Sequence, residues 1–335
     1  MSNPTFVFAT CRAGSEASLK REVATLHGTR LTPAFMRPQL ITWKAQTALP
    51  ADFELGAGFS HVSGLSAGMA RTAEEVAQRV TEAGLRVSDL HVFPRIIAES
   101  GVTQEVWQRL DEIKTDVLRL CQLTPESRLV IDLIIGEENE PWFVGTHRQT
   151  TSAHPHPGAV PRVTVPEDVP SRAWLKMEQS LAWLGLDTPE ALHGKTALEL
   201  GSAPGGAAWS LLERGVNVIG VDTGAMDPRV QNHPHYDHIG LPAGEVPFDY
   251  LPENVDLLAS DMNLAPDIAL KYIEPLCRRL QPRWLILTLK MNDTWVEAQL
   301  PKLIERVRQF APGAVYAKQL PANRREVTVI SQRAV

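Results

Sequence analysis

The stretch Thr196-Ala-Leu-Glu-Leu-Gly-Ser-Ala-Pro-Gly-Gly206 decides how the chain is read. Its first five residues form a short apolar strand. A turn holding Gly201, Gly205 and Gly206 follows, and residues 206–214 continue as a helix. Glycines let a backbone approach a ligand, and the start of a helix offers free N–H groups. The next strand, Val216-Asn-Val-Ile-Gly-Val, ends at Asp222, 21 residues after Gly201. An acid there can accept hydrogen bonds from ribose hydroxyls. The turn departs from the G-x-G-x-x-G dinucleotide fingerprint, and Pro204 narrows the room for a pyrophosphate. An adenosyl ligand suits it, with a purely structural strand-to-helix turn as the alternative.

Downstream, strand and helix keep alternating. Residues 255–260 and 284–289 read as strands, residues 265–280 and 295–310 as helices. Ala314-Val-Tyr-Ala and Glu326-Val-Thr-Val-Ile close the chain as strands, close enough in sequence to form an antiparallel edge pair. This alternation implies a mainly parallel sheet covered on both faces. Two more strands end in polar residues, one at Asp261-Met-Asn and one at Lys290, on the same rim as the glycine turn. Just upstream, Pro170-Ser-Arg-Ala-Trp-Leu-Lys176 opens a helix with Ser171 as its cap. Taken singly, each of these polar residues is more often solvated surface.

The first half is less regular. Phe6-Val-Phe-Ala and Leu40-Ile-Thr-Trp read as strands around a helix at residues 15–25, with Ser15 as N-cap. Helical spacing recurs at 72–83 and 106–123. Leu129-Val-Ile-Asp-Leu-Ile-Ile is a β-branched strand, and Pro141-Trp-Phe-Val-Gly can pair with it as a hairpin. Residues 150–170 are rich in proline and read as an extended linker. Its His154 and His156 lack a nearby ligand cluster and are read as solvated loop, not as metal ligands.

Composition excludes several classes. The chain has 335 residues, 44% apolar and 21% charged, which suits two or three globular domains and not a disordered chain. Cys11, Cys121 and Cys277 cannot build a disulfide framework and have no CxxC spacing. No apolar run approaches the roughly 18–20 residues of a membrane helix. The first eight residues lack the pattern of a signal peptide, so a cytoplasmic protein is expected. Lys plus Arg number 33 against 39 Asp plus Glu, for a net charge of −6. Residues 1–160 and 161–335 each carry −3. A dedicated nucleic-acid coat would be strongly basic, but a local basic face remains compatible with this total.

Read together and in order, Ser171-Arg-Ala-Trp-Leu-Lys, Leu200-Gly-Ser-Ala-Pro-Gly-Gly, Ser260-Asp-Met, Leu289-Lys and Arg325-Glu-Val-Thr-Val resemble the signature of FtsJ-type RNA 2′-O-ribose methyltransferases. Phe8-Ala-Thr-Cys-Arg-Ala-Gly-Ser-Glu and Thr164-Val-Pro-Glu-Asp-Val-Pro-Ser-Arg are similar to the bacterial branch that methylates a cytidine ribose of 23S rRNA. The resemblance covers residues 165–335 and roughly the first 45. It implies an α/β chain with four parts: a ferredoxin-like segment (1–60), a THUMP-like RNA-binding region (61–149), a linker (150–170), and a Rossmann-like methyltransferase domain (171–335) with a mainly parallel seven-stranded sheet. It implies S-adenosyl-L-methionine as cofactor, held by Gly201, Ser202, Ala203, Pro204, Gly205, Gly206, Asp222 and Asp261. It implies a catalytic tetrad of Lys176, Asp261, Lys290 and Glu326, rRNA as partner and no catalytic metal. Two positions depart from the pattern. Glu245 is the one candidate for the acid expected near the adenine, and Ala173 stands where that branch often has serine.

The tetrad suits the chemistry. A ribose hydroxyl is a poor nucleophile and must lose its proton as it attacks. Lysine serves as a base when its pKa is lowered. Lys176 and partial burial are expected to lower that of Lys290, with Asp261 and Glu326 partly opposing. Arg12, Arg37, Arg95 and Arg148 are candidates for RNA contact, scattered along the sequence. Two other readings are a small-molecule methyltransferase, which leaves the tetrad unexplained, and a non-catalytic RNA-binding assembly factor, which has no use for two lysines at a cofactor.

Overall fold

The computed structural model describes residues 5–50 and 52–334. Residues 1–4, part of the reading against a signal peptide, lie outside the described residues. The chain divides into two compact units, residues 1–162 and 163–335. Among the described residues no helix is long and apolar enough to cross a membrane.

The first unit holds one seven-stranded sheet. Its elements are β1 (Phe6–Thr10), α1 (Glu16–His27), β2 (Leu31–Arg37), β3 (Leu40–Ala45), β4 (Ser63–Ala70), α2 (Ala73–Glu82), β5 (Asp89–Pro94), α3 (Gln104–Leu120), β6 (Leu129–Ile135) and β7 (Trp142–Arg148). The strand order is β2-β3-β1-β4-β7-β6-β5. Neighbours run antiparallel except β5 and β6. The hairpin of β6 and β7 forms as expected, with Leu133 opposite Val144. Helices α2 and α3 begin at Thr72 and Thr103, whose side chains accept from the N–H groups of Glu75 and Val106. Ser15 makes no such side-chain cap on α1; instead the Glu16 carboxylate accepts from Gly14 N at 2.8 Å.

Strand β4 was not legible. It carries Gly64 and Gly68, residues that weaken an isolated strand. Its place at the middle of the sheet explains the first, because a Cβ on Gly64 would lie 2.0 Å from the Thr146 carbonyl oxygen, and Gly68 takes a φ of +107°. The proline-rich segment after β7 is packed. Ala159 and Val160 are buried, and Val160 joins the core around Phe93 and Ile97. His154, expected in a solvated loop, is 3% exposed.

The second unit alternates as its sequence does. Helix α4 (Ala173–Trp183) and the single turn α5 (Pro189–Leu192) precede β8 (Thr196–Leu200), α6 (Gly206–Leu212), β9 (Asn217–Val221), α7 (Pro228–Gln231) and β10 (Tyr236–Ile239). Then come β11 (Leu257–Ser260), α8 (Pro266–Leu280), β12 (Trp284–Lys290), α9 (Thr294–Arg308), β13 (Ala314–Lys318) and β14 (Glu326–Gln332). The sheet order is β10-β9-β8-β11-β12-β14-β13. The pairs from β10 to β12 are parallel, and β14 runs antiparallel to both its neighbours. It is therefore a mixed sheet.

The last two strands form the expected antiparallel pair at one edge of the sheet. Strand β14 inserts between β12 and β13, and only β13 lies at the edge. Burial explains the choice. Val327, Thr328, Val329 and Ile330 are each 0% exposed, so both faces of β14 must be covered. Strand β13 is half-buried and tolerates an edge. The chain order reverses between β8 and β11, the switch point where open α/β sheets bind ligands.

Candidate active site

Four charged side chains meet beside that switch point. Lys176 comes from α4, Asp261 follows β11, Lys290 ends β12 and Glu326 begins β14. The Lys176 ammonium donates to Asp261 Oδ2 at 3.0 Å and to Glu326 Oε1 at 2.8 Å. The Lys290 ammonium donates to Asp261 Oδ1 at 2.7 Å and to Glu326 Oε1 at 2.8 Å. Each acid thus bridges both lysines, and the ring carries no net charge. The side chains are 11–16% exposed, which strengthens these contacts relative to surface pairs.

The insertion of β14 makes this ring possible. Lys290 and Glu326 are direct partners in the β12–β14 register, which places their side chains on one face of the sheet. With β14 at the edge, Glu326 would sit a strand farther away. The backbone N–H of Arg324 donates to Glu326 Oε2 at 3.1 Å and occupies the second oxygen.

The charge balance corrects one expectation. Burial by itself would lower the pKa of Lys290, but attraction to Asp261 and Glu326 outweighs it and raises the pKa above the ordinary lysine value. Lys176 acts on the ring mainly through the shared acids. Burial would push the Glu326 carboxyl up, but Lys176 and Lys290 hold it down to about 2. The resting site is a pair of ammoniums clamped by a pair of carboxylates.

Beside the ring lies the turn from Gly201 to Gly206. Gly201 has φ +81°, and a Cβ there would meet the backbone of Asp261 and Met262 at 2.9 Å. Glycine therefore lets the β8 and β11 ends close on each other. A Cβ on Gly206 would meet Ser171 Oγ at 2.2 Å, so the start of α4 packs directly on this turn. The Ala203–Pro204 peptide is cis. At the end of β9, Asp222 accepts from Ala203 N at 3.1 Å and from Gly224 N at 2.7 Å. These bonds hold the acid against the turn and leave lone pairs on both oxygens. Glu245 is exposed in the segment after β10.

Sequence reasoning missed Glu199. It sits within β8 at 2% exposure and lines a small pocket with Lys176, Ser180, Asp261 and Thr288. Burial, with Asp261 and Asp222 nearby, pushes its pKa up to about 8, although Ser202 Oγ donates to it at 2.7 Å. Ser202 also contacts the Tyr236 hydroxyl at 3.1 Å. The signal was visible, an acid inside the apolar run Ala197-Leu-Glu-Leu. The arginines considered for RNA divide differently. Arg95 is 4% exposed and committed to Glu140 and the Pro38 carbonyl, each at 2.9 Å. Arg12 pairs with Glu99, while Arg148 is exposed.

The second unit thus joins an α/β sheet, a glycine turn at its switch point and a lysine–carboxylate ring on the same rim. The family model for FtsJ-like methyltransferase matches residues 169–309, most of the second unit. Glu326 lies beyond the matched residues and reaches the ring through the register of β14.

Curated relatives carry the name ribosomal RNA large subunit methyltransferase M. The protein of that name from Halorhodospira halophila is 31% identical over 178 residues, 53% of this chain and 51% of its own. That from Laribacter hongkongensis is 32% identical over 188 residues, 53% of this chain and 52% of its own. That from Xylella fastidiosa strain M12 is 32% identical over 220 residues, 62% and 59%. The chain spans a little over half the length of these relatives.

Proposed function

We propose that the chain transfers a methyl group from S-adenosyl-L-methionine to a ribose 2′-hydroxyl of RNA, with a cytidine of 23S rRNA as the target. The observation that carries this reading is the closed ring of Lys176, Asp261, Lys290 and Glu326 beside the Gly201–Gly206 turn. The names of the curated relatives support rRNA as the substrate class. A cytoplasmic site of action accords with it. The first unit would grip the RNA, residues 1–60 as a ferredoxin-like segment and 61–149 as a THUMP-like region, mostly through shape and backbone contacts.

The residues present fit the cofactor. The turn is bare of side chains at Gly201, Gly205 and Gly206, and Asp222 keeps acceptor capacity for a pair of hydroxyls. Ser202, Ala203 and Pro204 would complete the wall, and Asp261 would serve both the cofactor site and the ring. Bound there, the cofactor supplies an electrophilic methyl group.

The chain's own residues manage the proton. Lys290, in its neutral form, accepts the proton of the 2′-hydroxyl as that oxygen attacks. Lys176 then remains as the cation that holds Asp261 and Glu326 in place. The two carboxylates aim both amines at one point, and alignment with exclusion of water does the remaining work.

The test is transfer of labelled methyl to 23S rRNA lacking its own modifications, with Lys290→Ala in parallel and the label mapped to base or ribose. Ribose label that disappears in the variant supports the assignment. Base label, or full turnover by Lys290→Ala, would sink it. Label that appears only on a ribosomal precursor particle keeps the chemistry and changes the substrate form.

A further inference from the structure

We propose that His91, Asp132 and His147 in the first unit bind one divalent first-row transition-metal ion, with Zn²⁺ the best chemical match. The three residues lie on the adjacent strands β5, β6 and β7. His91 is the register partner of Asp132, and His147 sits on the next strand, opposite Val130. Period-two alternation then puts all three side chains on one face of the sheet. They are 4%, 0% and 7% exposed. One donor atom from each can be chosen so that all lie within 4.8 Å of one another.

Asp132 makes the case. Its carboxylate is fully buried, and its Oδ1 has no hydrogen-bond partner. A buried carboxylate oxygen without a partner is costly. Each of its two near neighbours is an imidazole Nδ1, that of His147 at 2.6 Å from Oδ2 and that of His91 at 4.0 Å from Oδ1. Tetrahedral zinc with bonds near 2.0–2.2 Å spaces its donors by roughly 3.3 Å, between these two distances. Small side-chain rotations would bring the set to that spacing.

The outer ring nitrogens point the same way. His147 Nε2 is 3.2 Å from Gln149 Oε1, and the Gln149 amide nitrogen donates to the Ala153 carbonyl at 3.4 Å, which fixes that orientation. His91 Nε2 is 3.6 Å from Asp89 Oδ2. Oxygen acceptors at both outer nitrogens favour the tautomers that carry N–H outside and a lone pair inside. Metal-bound histidines are held in this way. In those tautomers two lone pairs and a carboxylate face one another, an arrangement that a metal cation satisfies. Two imidazoles with one carboxylate form a borderline set that suits zinc and its neighbours better than calcium or magnesium. Such an ion would staple three strands together.

The full-length protein is stripped with chelator and titrated with Co²⁺, read by visible absorption, and with Zn²⁺, read by thermal melting. One equivalent per chain is expected, with a rise in Tm. Asp132→Asn should abolish the Co²⁺ signal. Gln149→Leu, which leaves all three ligands, should weaken binding about 10–100-fold. The double variant His233→Ala with His235→Ala, in the second unit, should keep it. Absence of uptake by the wild-type protein would overturn the proposal, leaving protons as the compensating charge. So would Co²⁺ binding that survives Asp132→Asn, or that is lost when His233 and His235 are replaced.

Discussion

Each unit is built on seven strands, but the two sheets place their charges differently. In the second unit, Asp261 and Lys290 stand at strand ends, and Glu326 opens an antiparallel strand that runs back from the same rim. In the first unit, Asp132 sits in the middle of β6 with no exposure at all. A rim group keeps contact with water and can exchange protons. A mid-strand group is sealed and must be neutralised where it stands. Parallel strands with crossover helices gather their carboxyl ends on one side, so polar residues at those ends converge from distant parts of the sequence. A largely antiparallel sheet has no such common end. Its buried charge pairs across neighbouring strands instead.

The largest expected effect lies on the rim. Lys290→Ala should reduce single-turnover methyl transfer by about 10²–10⁴-fold while the protein stays folded. A rate within tenfold of wild type would make the ring a structural element, no different in kind from the buried cluster of the first unit. The pH profile sharpens the point. The carboxylates raise the pKa of Lys290, so the neutral amine is scarce at neutral pH. The transfer rate should then rise about tenfold per pH unit and keep rising beyond pH ~9. Glu326→Gln removes one of the attractions and should move that rise to lower pH.

A smaller effect tests the closeness of the two strand ends. Gly201→Ala forces a side chain at φ +81° against the Asp261 backbone. It should destabilise by about 1–3 kcal/mol and weaken cofactor binding, read by chemical denaturation and by calorimetry. An unchanged protein would mean that the turn is looser than its packing indicates.

Glu199 differs from its neighbours because its shift runs the other way. Its pKa in the folded protein is about 8, above the ordinary value of 4.5. The folded state therefore holds this proton more tightly than the unfolded state between those values. Stability falls as pH rises through that window. Glu199→Gln should leave Tm nearly unchanged at pH ~4 and raise stability by about 4–5 kcal/mol at pH ~9. A gain of equal size at both pH values would assign the effect to packing.

The two units also differ in how far their sequences could be read. Strands β8, β11 and β12 are short apolar runs bounded by turns, and their ends name the rim residues directly. Strands β2, β4 and β5 escaped because Pro33, the glycines of β4, and His91 within β5 break the usual patterns, and β10 because it is four residues long with Asp237 and His238 inside it. Gly64 answers to the Thr146 backbone and Gly68 to a left-handed φ of +107° beside the Arg79 guanidinium, which no local pattern reports. The four residues of the ring were singled out by motif, and the structure brings their side chains together. Their bond pattern was not legible in the motifs, because it depends on β14 entering between β12 and β13. The sign of the Lys290 shift followed from that pattern: both carboxylates reach both ammoniums, and attraction outweighs burial.

The smallest expected effect separates buried from exposed pairing. Arg162 meets Asp111 with two hydrogen bonds, at 2.7 and 2.5 Å, in better fork geometry than any contact in the ring. Both side chains are nearly half exposed. The guanidinium also lies 4.5 Å from the Trp107 ring centre. Geometry alone would rank this pair with the tetrad, but water already solvates both charges and salt screens them. Asp111→Asn should therefore cost no more than about 0.5–1 kcal/mol, less in high salt. Arg162→Ala should cost somewhat more, because it also removes the stacking on Trp107. A loss above about 2 kcal/mol from Asp111→Asn would show that geometry outweighs exposure, and the contrast between rim and interior would have to be redrawn on that basis.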